Sequence, residues 1–146
     1  MPELIVVDAS VVFKWQLNDE DNVRQALLLK KDYLDDSTLK LFAPTIFLYE
    51  LINAIVVAGR KNRIAPENLF ETLQNVLVAD IELLEIEPFQ VIELCQEYNI
   101  AAYDAAYLAL AESLDCDLWT GDRAFYNAVK DKSARVKWIG NYIPAT

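Results

Sequence analysis

The chain has 146 residues, 54% of them hydrophobic, with three glycines and five prolines, which suits one folded domain and excludes a disordered or fibrous protein. It contains no histidine, which removes Ser-His-Asp and Cys-His nucleophile systems, the usual zinc sites and a histidine acid–base pair for RNA hydrolysis through the 2′-hydroxyl. The formal net charge of −10, from 13 basic and 23 acidic residues, argues against a surface that grips nucleic acid non-specifically.

The opening residues have no basic stretch followed by an apolar one, so no secretion signal is expected. Cys95 and Cys116 are not spaced as a metal pair, and free thiols in a reducing cytoplasm are the expectation. An apolar window over 41–59 resembles a membrane span. It holds Pro44, Glu50 and Asn53, however, and a charge at mid-span costs about 2.5–3.5 kcal/mol, so a buried helix of a protein with no membrane span is expected.

In chain order, the β-branched run 4–7 reads as a buried strand stopped by Asp8, followed by a short helix over 9–16. Residues 21–34 show helical spacing of Val23, Leu27, Leu28 and Leu34, and 39–43 form a second strand ended by Pro44. A long apolar helix covers 45–61 and closes on Gly59 and the basic run Arg60-Lys61-Asn62-Arg63. Pro66 opens an amphipathic helix over 67–78. A third strand at 82–86, helices at 88–98 and 103–114, a fourth strand at 118–120, a helix at 122–130 and a fifth strand at 136–139 complete the pattern. Strands that are apolar on both faces and alternate with helices imply an α/β fold with a five-stranded parallel sheet flanked by helices, as one domain over 1–146.

Four carboxylates stand out. Asp8 and Asp122 each follow a strand and precede a helix, where either would serve as an N-cap. Asp104 would equally cap its helix, although small residues crowd around it. Glu50 lies in an apolar stretch with no cation on its turn, and a buried unpaired carboxylate costs several kcal/mol, so it requires a partner. Asn53, three residues on, shares its face. Asp8 and Asp122 fall past the C-terminal ends of parallel strands, where open α/β sheets place ligands, and the helices bearing Glu50 and Asp104 are expected to flank that crevice. Four converging carboxylates repel unless cations sit among them, so Mg2+ (or Mn2+) is expected.

Val6-Val7-Asp8-Ala9-Ser10, Pro44 with Tyr49-Glu50-Leu51 and Asn53-Ala54, Tyr103-Asp104-Ala105-Ala106-Tyr107, and Thr120-Gly121-Asp122-Arg123-Ala124-Phe125 occur in an order and spacing that covers essentially the whole chain. In these pieces the sequence resembles the PIN-domain ribonucleases, most closely the toxin subunits of VapBC toxin–antitoxin pairs. The resemblance implies a PIN-like domain, a homodimer, and a magnesium-dependent endoribonuclease held inactive by a cognate antitoxin. It implies that Asp8, Glu50, Asp104 and Asp122 are catalytic and hold the metal, with Ser10, Asn53 and Thr120 in support. The acidic balance departs from a nucleic-acid binder, easing only to −6 without those four carboxylates; Arg60, Lys61 and Arg63 are the candidates for holding RNA.

The expected chemistry is metal-assisted hydrolysis of an RNA phosphodiester by activated water. The antitoxin would present a basic segment to the acidic site. Two other readings stand beside this one: a catalytically inactive PIN-like binding module, and an aspartate-based metal-dependent phosphatase. For the latter, Ser10 occupies the position where a second acid is expected.

Overall fold

A computed structural model describes residues 2–144. The strands are β1 (Glu3–Val7), β2 (Leu39–Pro44), β3 (Glu82–Leu84), β4 (Asp117–Thr120) and β5 (Val136–Trp138). They form one parallel sheet in the order β3-β2-β1-β4-β5. The helices are α1 (Ala9–Phe13), α2 (Val23–Asp35), α3 (Phe47–Arg60), α4 (Leu69–Leu77), α5 (Pro88–Tyr98), α6 (Ala102–Leu114) and α7 (Arg123–Val129). The expected single α/β domain with a five-stranded parallel sheet is what the chain forms.

The core explains the continuous apolar runs. Val6, Val7, Val11, Val12, Leu51, Leu108, Leu118 and Ile139 are buried, so β1 and β4 are covered on both faces. Helix α6 buries every residue from Ala105 to Ala111. Its alanines let the backbone approach the sheet closely, while Tyr107, Leu108 and Leu110 each contribute about 1.5–3 kcal/mol of burial. Among the described residues no helix is long and apolar enough to cross a membrane. The suggestive window is split by β2 and the turn at Thr45.

Several ends differ from the sequence pattern. Helix α1 stops at Phe13, because Lys14, Trp15 and Gln16 bond three residues back and the Trp15 indole donates to the Ala26 carbonyl at 2.9 Å. A 3-10 turn over Pro66–Asn68 precedes α4. Strand β3 ends at Leu84, and Glu87 caps α5 by accepting from the amides of Phe89 and Gln90. Strand β5 gives way to a 3-10 turn over Ile139–Asn141.

Strand order reverses at β1: the chain leaves β1 toward β2 on one side, and β4 arrives on the other. Open α/β sheets bind ligands past the carboxyl ends of the strands at such a switch point, here the ends of β1 and β4. Asp8 and Asp122 are the residues next to those ends.

Candidate active site

Asp8 is 7% exposed and caps α1, accepting the Ser10 amide at 3.2 Å. Its other oxygen accepts the Thr120 hydroxyl at 2.7 Å. The same Thr120 hydroxyl accepts the Asp122 amide at 3.0 Å, and the Ser10 hydroxyl accepts the Gly121 amide at 2.9 Å. Ser10 and Thr120 therefore lace the turn after β1 to the turn after β4. Burial lifts the Asp8 carboxyl to about 7; the Thr120 and Ser10 donors oppose the rise, and the charges of Glu50 and Asp104 add to it.

Glu50 lies in the first turn of α3. Burial raises its pKa, the Tyr107 hydroxyl beside it partly offsets the rise, and the Asp122 charge adds to it. Its Oε1 is buried with no hydrogen-bond partner. Asp104 is not the cap of α6: Ala101 holds that position and Asp104 sits in the first turn, accepting no hydrogen bond among the described residues. Burial, then the charges of Asp122 and Glu50, lift it to about 6. Asp122 is exposed and caps α7 by accepting the Phe125 amide at 3.1 Å.

Asp8, Glu50 and Asp104 thus each feel the charge of at least one other of the four carboxylates. They do not form a ready-made cage: among the described residues no group of three or more His, Cys, Asp or Glu side chains is placed to hold a metal ion. The capping bonds of Asp8 and Asp122 account for part of this, since each has an oxygen turned to a backbone amide. The donor set nevertheless fits a hard divalent cation. It is all oxygen, and the orphaned Glu50 Oε1 has no protein donor to offset its burial.

Asn53 is exposed and makes no hydrogen bond among the described residues. Arg63 pairs with Asp19 at 2.9 Å and with Glu20, which raises its pKa further and engages its charge. Arg60 and Lys61 are exposed at the far end of α3, about 15 Å along the helix from Glu50 at 1.5 Å per residue.

Two residues gain importance only in the fold. The Tyr107 hydroxyl is buried between the Ala9 amide, 3.4 Å away, and Glu50; burial followed by the charges of Asp8 and Glu50 drives its pKa far up, so it stays a neutral donor. Its spacing of three from Asp104 was the available signal. Lys14 is 5% exposed, with Glu20 at 3.6 Å, and packs over Gly121, where a Cβ would stand 2.6 Å from its Cε. A lone cation within Val12-Phe13-Lys14-Trp15 was the signal there.

The fold is that of a parallel α/β protein, with the acidic, oxygen-only candidate site next to the sheet's switch point. The PIN domain profile matches residues 5–131, and the chain belongs to the PIN-domain family, whose members are typically nucleases that use divalent metal ions. No match is found among curated proteins. Among solved structures the chain is similar to the crystal structure of PAE2754 from Pyrobaculum aerophilum, with a TM-score of 0.68 and 24% identity over 95% of this chain and 92% of that one. At that identity the likeness speaks for the fold. Cys95 and Cys116 are both free.

Proposed function

We propose that this protein is a cytoplasmic, Mg2+- or Mn2+-dependent endoribonuclease, the toxin of a toxin–antitoxin pair, with Asp8, Glu50, Asp104 and Asp122 as metal ligands. The observation that carries the reading is the buried, partnerless Oε1 of Glu50, whose charge acts on Asp8 and Asp104, lifted to about 7 and about 6, and which feels that of Asp122. Structural carboxylates are ordinarily arranged to lower such pKa values, and perturbed ones cluster at functional sites.

A bound divalent cation would neutralise the crevice, lower the pKa of water and stabilise charge on the phosphate. The chain's own residues do the placing. Thr120 and Ser10 hold Asp8 against β4, the capped turn fixes Asp122, and the neutral Tyr107 hydroxyl orients Glu50. No side chain is required as nucleophile, in keeping with the absence of histidine. The expected products carry 5′-phosphate and 3′-hydroxyl ends.

A basic antitoxin segment suits a −10 protein with an acidic crevice, where a guanidinium would pair with the carboxylates. A homodimer suits the bare apolar surface between α3 and α4, where Phe70 is 87% exposed beside Ile52, Val56 and Leu73. The test of the activity is incubation of structured RNAs with Mn2+, followed by ligation that requires a 5′-phosphate. Cleavage is expected to vanish with EDTA and in Asp8→Asn. Wild-type fragments ending in 2′,3′-cyclic phosphate would overturn the mechanism.

A further inference from the structure

RNA must reach an acidic crevice on an acidic protein, so cations near the crevice decide how it is held. The charge is unevenly spread. Residues 123–137 carry Arg123, Lys130, Lys132, Arg135 and Lys137 against the single carboxylate Asp131, a local net charge of +4. Arg135 is engaged by Asp115 and by the carbonyls of Ala111 and Cys116, and Lys132 lies against the Tyr98 ring. Arg123, Lys130 and Lys137 have no carboxylate partner among the described residues.

The free cations lie among aromatic rings. Helix α7 and the edge strand β5 bound a groove of about 600 Å³ lined by Trp119, Tyr126, Lys130, Lys137 and Trp138, with Asp117 at its far end. Tyr126 and Trp138 stand 5.7 Å apart, and the Arg123 guanidinium lies 3.9 Å from the centre of the Trp138 ring. The near end reaches the site. Trp138 pairs in register with Thr120, the residue that donates to Asp8. Trp138 and Arg123 also line a second cleft, of about 350 Å³, with Gly121 and Lys14 and with Asp19, Glu20 and Asp21, the first two of these carboxylates being engaged by Arg63. Gly121 is the residue between Thr120 and Asp122.

We propose that this β5 edge is the track along which single-stranded RNA is held as it enters the carboxylate crevice, an inference that rests on the ribonuclease reading. Bases stack against the half-buried rings of Trp138, Tyr126 and Trp119 where these line the groove, while Lys130 and Lys137 neutralise phosphates. This combination binds single strands with little dependence on sequence. The edge strand alone would also suit an added peptide strand. A lysine on an edge opposes strand pairing, however, and Lys137 stands on this one.

The test uses full-length protein carrying Asp8→Asn, so that RNA binds without being cut. A fluorescein-labelled 12-nucleotide single-stranded RNA is titrated by anisotropy over a range of salt. Adding Lys130→Gln with Lys137→Gln is expected to weaken binding about tenfold at 50 mM salt and to flatten the log–log salt slope by about 1.4, two phosphate contacts on a single strand. An Arg60→Gln with Lys61→Gln pair, at the far end of α3, is expected to leave both values near the parent. Unchanged Kd and slope in the Lys130/Lys137 variant, with metal-dependent cleavage by the wild type intact, would overturn the track and leave the nuclease standing. Loss carried by the Arg60/Lys61 pair instead would also overturn it, as would a change in mass by light scattering without a change in RNA affinity, which marks the edge as a protein interface. No RNA binding and no cleavage would remove the ribonuclease reading itself.

Discussion

Asp8→Asn exposes the tension built into the crevice. In the wild type the Asp8 carboxyl, 3.8 when unperturbed, sits at about 7 in the fold. A pKa raised by folding means that the stability contributed by this group is fully present below about 4 and is lost as pH rises through about 7. In metal-free protein at pH 8 the ionised Asp8 therefore costs the fold roughly 4 kcal/mol. Asparagine carries none of that cost. It keeps an oxygen for the Ser10 amide but turns its NH2 toward the Thr120 hydroxyl, whose own proton then lacks its acceptor, a loss of about 2 kcal/mol that is the same at every pH. The net expectation at pH 8, without metal, is a variant more stable by about 2 kcal/mol, or about 4–8 °C in Tm. The gap should vanish and then reverse as pH falls from 8 to 4, because the cost of ionising Asp8 disappears while the lost Thr120 bond stays. Excess Mg2+ should invert the order, because a ligand at a hundred times its Kd adds about 2.7 kcal/mol to the wild type and little to the variant. Calorimetry at pH 5 and pH 8, with EDTA or with Mg2+, reads all of this. An Asp8→Asn protein less stable than wild type by the same amount at both pH values would refute the reasoning.

Thr120→Val removes the donor to Asp8 and the acceptor of the Asp122 amide while keeping the volume, so a loss of about 1–3 kcal/mol in urea unfolding is expected, larger at pH 8 than at pH 5. A loss independent of pH would detach Thr120 from the Asp8 charge. Phe70→Asp, placed on the bare apolar surface beside α3, should convert a dimer to a 16.6 kDa monomer by light scattering; a wild type already at that mass would end the dimer reading.

The elements were legible because their causes are local. Short apolar runs did not need the fold to declare themselves: Ile5, Val6 and Val7 before Asp8, or Leu118, Trp119 and Thr120 before Gly121, read as strands from composition and breakers alone. The same holds for α5, opened by Pro88, and for the caps Asp8 and Asp122. Even so, a cap and a site carboxylate look alike in sequence, and only the fold shows that Asp8 both caps α1 and accepts the Thr120 hydroxyl from β4. Element ends were less legible, as at α1, where the Trp15 indole reaches Ala26 and the chain turns early.

The sequence by itself determined the parallel α/β class, the places where helices and strands begin to within two residues, and the absence of any histidine, which leaves carboxylates as the expected metal-binding groups. Only the tertiary structure decided the strand order, and with it the switch point between β1 and β4 that sets Asp8 beside Thr120, 112 residues away. It also decided which polar groups are buried. Glu50 Oε1 lost its partners, Tyr107 was placed between Ala9 and Glu50, Arg63 was engaged by Asp19 and Glu20, and Asn53 was left in solvent. The physical reason is that hydrogen bonding along a strand or helix is satisfied by near neighbours, whereas desolvation and charge pairing depend on which distant segments close over a group.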